Sequence, residues 1–144
     1  MMNRKNGFTL IEILIAMTII GILSGVVGLS VAGHLRKAKL EAARSQIKTF
    51  QTALQMYKAA HAQYPSTAQG LEALCVAPTI PPLPKDYPPE GYLESRKLPA
   101  DPWGNPYVYL VPGRKSEQYE IISYGSDGEE GGTGEAADLS SGQF

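Results

Sequence analysis

From Phe8 to Ala32 the chain is apolar except for a few Thr, Ser and Gly, and it carries one charge, Glu12. About 20 apolar residues suffice for a helix to cross a bilayer, so the run predicts a membrane element. A secretory signal peptide would be shorter and would end in a small-residue exit site. Here the run is too long, no such exit comes after it, and the basic leader with Arg4 and Lys5 stops at Gly7. A carboxylate inside such a run costs roughly 2.5–3.5 kcal/mol on insertion scales. It therefore needs a partner or a task. No basic residue stands within the run, so the partner is expected from a chain end, a lipid headgroup or another subunit.

Proline is absent before Pro65, and nothing in the first 64 residues forces a helix to break. Beyond the apolar run, Leu40, Ala43, Ile47, Phe50, Leu54 and Tyr57 recur at helical spacing, with Lys39, Glu41, Arg44, Gln46, Lys48, Gln51 and Lys58 between them. The spacing predicts one helix from about Phe8 to about Ala62, roughly 80 Å long. Its first half is apolar all round, and its second half is amphipathic. That stripe is too short for a sustained coiled coil and is expected to dock on a small domain.

Tyr64-Pro65 ends the helix. Ser66 and Gln69 read as a capping box opening a short helix from Thr67 to about Val76. A connection rich in proline, from Pro78 to Pro89, comes next and is expected to be irregular. Residues 107–111 and 119–123 are rich in β-branched and aromatic types and predict an antiparallel hairpin. A lone hairpin is marginal, so it should pack on the stripe.

With 144 residues the chain allows one domain and an anchor. A net charge of −1 and a pI near 6.1 argue against a nucleic-acid binder. The single cysteine, Cys75, excludes an internal disulfide framework and reads as a small buried hydrophobe. No catalytic constellation is visible. His34 and His61 stand far apart on the long helix, and no glycine-rich phosphate loop comes after a strand. The sequence thus points away from an enzyme.

Two further patterns stand out. Gly21, Gly25, Gly28 and Ala32 form a small-residue ridge that permits close helix packing. Residues 126–138 mix glycines with Asp127, Glu129, Glu130, Glu135 and Asp138. Calcium takes such oxygen donors, yet by composition alone a solvated acidic loop is the better reading. A fold this small would benefit from a metal staple.

The string Lys5-Asn6-Gly7-Phe8-Thr9-Leu10-Ile11-Glu12 resembles the leader junction of type IV pilins and pseudopilins. Residues 64–74, the run Asp101-Pro102-Trp103-Gly104-Asn105-Pro106-Tyr107 and the run Ser123–Gly128 are similar to the major pseudopilins of type II secretion. The resemblance covers nearly the whole chain. It implies an α+β, pilin-like lollipop: a long N-terminal helix packed on a small antiparallel sheet, with a short second helix and a C-terminal loop. It implies a leader at 1–7, a transmembrane and assembly half at 8–35, and a periplasmic head at 36–144.

In that family a prepilin peptidase cuts after the residue matching Gly7 and the new terminus, here Phe8, is N-methylated. Phe8 and Glu12 then serve assembly. Calcium is implied as a cofactor, with Asp127 and Asp138 giving carboxylates and Tyr124 and Glu129 giving backbone carbonyls. Members often carry an acid or Asn just before the last Asp. Here Ala136 and Ala137 stand there, and Glu135 is the substitute. Leu29 stands where many relatives have a helix-loosening proline.

The implied partners are copies of the same chain in a helical filament, minor pseudopilins, an inner-membrane assembly platform, a cytoplasmic secretion ATPase and an outer-membrane secretin. The implied location is the bacterial inner membrane, single-pass, with the head in the periplasm. The basic residues Arg36, Lys37, Lys39, Arg44 and Lys48 outnumber Arg4 and Lys5 and by themselves would orient the head inward; the resemblance overrides that rule. The rivals are an adhesive, motility or competence pilin, disfavoured by the single cysteine, and a single-span periplasmic calcium-binding protein without a polymer.

Overall fold

The computed structural model describes residues 8–144, with the side chains of 26–32 outside the description. Contacts divide the chain into two compact units, Met1–Lys37 and Ala38–Phe144. One element belongs to both: helix α1, Leu10–His61, 52 residues long. Its absence of proline and its helical stripe explain the length.

In the first unit the described large apolar side chains are exposed. Leu10, Ile13, Leu14, Ile20 and Leu23 are between 47 and 85% exposed. The hydroxyls inside this stretch do not stand unpaired: Thr18 Oγ1 donates to the Leu14 carbonyl and Ser24 Oγ to the Ile20 carbonyl. Such back-bonding lets a polar residue sit in a helix surrounded by apolar material. Among the described residues no helix is long and apolar enough to cross a membrane. The span expected over Phe8–Ala32 also includes residues 26–32, whose side chains are not described.

In the second unit the expected stripe is the core. Ala43, Ile47, Phe50, Leu54 and Tyr57 are buried, joined by Ala53, Leu71, Leu74, Tyr107, Tyr109, Ile121 and Leu139. Phe50 meets Tyr107 edge-on with ring centroids 5.1 Å apart, a favoured aromatic geometry. Burying side chains of this size contributes roughly 1.5–3 kcal/mol each. Cys75 is buried and unpaired with any other cysteine, as expected.

The helix ends where Ala62 turns to φ +62°. The Ser66–Gln69 capping box forms: Gln69 N–H donates to Ser66 Oγ at 3.3 Å, and Ser66 N–H to Gln69 Oε1 at 2.8 Å. The short second helix expected over 67–76 forms in a shorter, tighter shape. It is a turn and then a 3-10 helix, η1, Leu71–Leu74. Gly70 at φ +66° breaks the α-helical path before a second turn can add. The Gln69 side chain reaches further, donating from Nε2 to the Ile80 and Pro82 carbonyls at 2.7 Å each. It thereby fixes the proline-rich connection, whose prolines offer no backbone donors.

The hairpin consists of β1, Val108–Leu110, and β2, Glu120–Ser123, antiparallel with Tyr109 opposite Ile121. The sheet has a third strand that the sequence did not suggest. Strand β3, Leu139–Ser140, pairs with β2 to give the order β1-β2-β3.

Candidate functional site

At the start of α1, Thr9 and Glu12 bond reciprocally. Thr9 N–H donates to Glu12 Oε2 at 2.7 Å, and Thr9 Oγ1–H donates to the same oxygen at 2.8 Å. Glu12 N–H donates back to Thr9 Oγ1 at 3.3 Å. This is a capping box with Thr9 at the N-cap and Glu12 three residues on, and the helix dipole favours an acid in that turn. The Thr-x-x-Glu spacing carried that signal in the sequence. Glu12 therefore has a local partner besides the external ones expected. Phe8 is 85% exposed, just before the N-cap. Gly7 lies outside the described residues.

The ridge residues Gly21 and Gly25 have open space where a Cβ would stand, so this face of α1 admits a close neighbour. The surroundings of Gly28 are not described.

The acidic loop is closed by its own backbone. Ser126 N–H donates to the Glu135 carbonyl at 2.9 Å. A Cβ at Gly125, where φ is +65°, would lie 2.5 Å from that same oxygen, so only glycine fits this crossing. Both Asp138 oxygens lie 3.1 Å from the Gly131 nitrogen, and Asp127 Oδ1 accepts from Glu129 N–H at 3.2 Å. Helix η2, a 3-10 turn at Gly134–Ala136, leads into β3.

The turn before β1 holds this loop, a role that the residue types alone did not assign. Asp101, 5% exposed, takes the N–H groups of Trp103 and Asn105 on Oδ1 and the Ser123 hydroxyl on Oδ2, at 3.0, 2.8 and 2.6 Å. Asn105 Nδ2 then donates to the Gly125 carbonyl at 2.8 Å. An acid at the head of a Pro/Gly turn was the available signal.

The donor chemistry of the loop suits a hard cation. Asp127 and Asp138 accept from backbone N–H groups and, among the described residues, pair with no Lys or Arg. Among the described residues no three His, Cys, Asp or Glu side chains are grouped to hold a metal. Calcium takes 6–8 oxygens, so backbone carbonyls would have to complete the set. Ala136 and Ala137 supply no side-chain donors.

Arg114 stands beside the loop. Its guanidinium spans Glu120 at 3.0 Å through two nitrogens and reaches Glu130 at 2.7 Å. Ser140 Oγ also donates to Glu120 at 2.7 Å. These bonds, those from Arg114 first, hold the Glu120 carboxyl down to about 2 against the opposing effect of burial.

A long N-terminal helix whose amphipathic half packs against a three-stranded antiparallel sheet is the pilin-like α+β fold. The chain is similar to the crystal structure of the major pseudopilin from the type 2 secretion system of enterohaemorrhagic Escherichia coli. The TM-score is 0.67 at 35% identity, covering 78% of this chain and 94% of that one. A model of the prokaryotic N-terminal methylation motif matches residues 2–28, and a model of type II secretion system protein G matches residues 30–142. The type II secretion system core protein G of Pseudomonas aeruginosa is 47% identical, with 95% of this chain and 94% of the relative covered. That of Escherichia coli K12 is 46% identical, over 90% and 87%. The chain belongs to the type II secretion system protein G family.

Proposed function

We propose that the chain is the major structural subunit of a type II secretion pseudopilus. It rests in the inner membrane with residues 36–144 in the periplasm, and it polymerises to drive folded proteins outward. A prepilin peptidase would cut after Gly7 and leave an ammonium on Phe8, to be N-methylated.

The observation that carries this reading is Glu12, a carboxylate at the head of an apolar helix and four residues from that new terminus. An ammonium from a neighbouring subunit neutralises it. In low dielectric such a pair counts for far more than a surface ion pair, and it would set the axial register of packed helices. Open space at Gly21 and Gly25 lets those helices approach. The role is structural rather than catalytic, and minor pseudopilins, the assembly platform, its ATPase and the secretin would be the surrounding machinery.

We further propose that calcium staples the loop, held by the Asp127 and Asp138 carboxylates and the Tyr124 and Glu129 carbonyls, with Glu135 as an added donor. The ion would supply cross-linking charge to a loop that otherwise closes on a few backbone bonds.

The test is expression of the full chain in a type II secretion strain lacking its own subunit. Sheared filaments containing a chain that begins at N-methylated Phe8, with restored secretion, are the expected result. A chain that complements secretion while keeping residues 1–7 would overturn the processing step.

A further inference from the structure

We propose that the basic face of α1 at Arg44 and Lys48 docks onto the acidic loop at Glu129 and Glu130 of a second copy of this chain, head to tail. This rests on the proposed filament and names a contact within it.

The net charge of −1 conceals a division. Residues 1–61 contain eight Lys and Arg against Glu12 and Glu41, whereas residues 62–144 contain five against twelve acids. From Ser116 to Phe144 there are seven acids and no Lys, Arg or His. Arg44 and Lys48, one turn apart on α1, are exposed. Among the described residues Arg44 bonds only its neighbour Glu41, at 2.8 Å, in an exposed pair. Lys48 has no ion pair among the described residues and lies 5.8 Å from the centroid of the Phe144 ring. With Glu41, Ser45, Gln143 and Phe144, Arg44 and Lys48 line an open cleft of about 470 Å³.

On the other patch, Glu129 is exposed and its carboxylate accepts no hydrogen bond among the described residues, while exposed Glu130 pairs with Arg114. No ion pair among the described residues joins the patches within one chain.

Two different, complementary patches on one surface make a heterologous contact, and a heterologous contact that does not close builds a filament. Each exposed ion pair is weak, but the contact recurs at every subunit and steers encounter. It should also fade with salt, because screening shortens from about 30 Å at 0.01 M to about 3 Å at 1 M ionic strength.

The experiment uses the full-length chain in the complemented strain, with filaments sheared and quantified. R44E/K48E alone and E129K/E130K alone should each lower the yield at least tenfold. Co-expression of the two should restore it, because the reversed helix face of one meets the reversed loop of the other in alternation. The chain carrying all four changes should polymerise by itself. Wild-type yield from either double variant, or a mixture no better than its parts while wild-type filaments form, overturns the contact. Loss of R44E/K48E binding to vesicles containing anionic lipid, with no rescue by the mixture, assigns the basic face to headgroups and also overturns it. Failure of the wild-type chain to form filaments sinks the filament reading instead.

Discussion

The Glu12 carboxylate takes both the N–H and the hydroxyl of Thr9 on a single oxygen, Oε2, at 2.7 and 2.8 Å. The same acid proposed to pair subunits thus already closes the first turn of its own helix. The two roles are separable, because a capping box works with Gln as well as Glu. Glu12→Gln should keep the helix and the membrane-inserted monomer at normal levels and yet give no filaments. Filaments from that variant at wild-type yield would mean that capping is the whole role of Glu12. Glu12→Val should also insert and fail to assemble.

Ala62 closes α1 at φ +62°. A left-handed conformation costs an L-residue with a Cβ about 1 kcal/mol, and glycine avoids it. Ala62→Gly should raise the melting temperature of the full chain in detergent by a few degrees. A lower melting temperature would show that the Ala62 methyl contributes contacts that outweigh the strain.

Glu120 is a depressed carboxyl, and the sign of its pH dependence comes from that. Folding favours its ionised form, so the stabilisation is complete above the unfolded value near 4.5 and is lost as pH falls toward about 2. Thermal stability of the wild type should decline through that window, and Arg114→Met should flatten the decline by removing the main cause. A chemical-denaturation series between pH 2 and 6 measures it. Identical slopes for the two proteins would contradict the assignment.

The calcium staple predicts a linked stability. In detergent, the full chain should melt several degrees lower with chelator, as ligand binding to the native state alone requires. Asp127→Ala should melt at that lower temperature with or without the ion. Equal melting temperatures for the wild type in both buffers would rule the staple out.

Gly125 crosses the Glu135 carbonyl with no room for a methyl group. Gly125→Ala should cost about 1–3 kcal/mol of stability, with loss of protection of the Ser126 amide in hydrogen exchange. Gly131, at φ +107° but with open space around it, should be less sensitive to the same change. Equal losses at the two positions would show that backbone strain, and not the steric crossing, decides.

Much of the fold was legible because it is periodic or local. The stripe Ala43, Ile47, Phe50, Leu54 and Tyr57 announces both a helix and its buried face. The Ser66–Gln69 box and the paired β-branched runs need only neighbours a few residues away. The short second helix over 67–76 came out as the tighter turn Leu71–Leu74 because of one residue: propensity summed along a segment does not register the positive φ that Gly70 adopts. Strand β3 was illegible for a different reason. Two residues, Leu139 and Ser140, have no pattern of their own and become a strand only because the end of β2 offers unpaired backbone groups to them.

By itself the sequence determined the long helix, its apolar and amphipathic halves and the hairpin, since each arises from side-chain spacing and backbone restriction. Only the tertiary structure decided what the polar residues do. It brought Asp101 and Asn105 against a loop that begins at Gly125, and it set Arg114 between Glu120 and Glu130. It also turned a plain acidic stretch into a closed loop at the Gly125–Glu135 crossing. The bonds from Asn105 to Gly125 and from Arg114 to Glu130 join residues 20 and 16 positions apart along the chain, and their strength depends on burial and direction, which no local pattern carries.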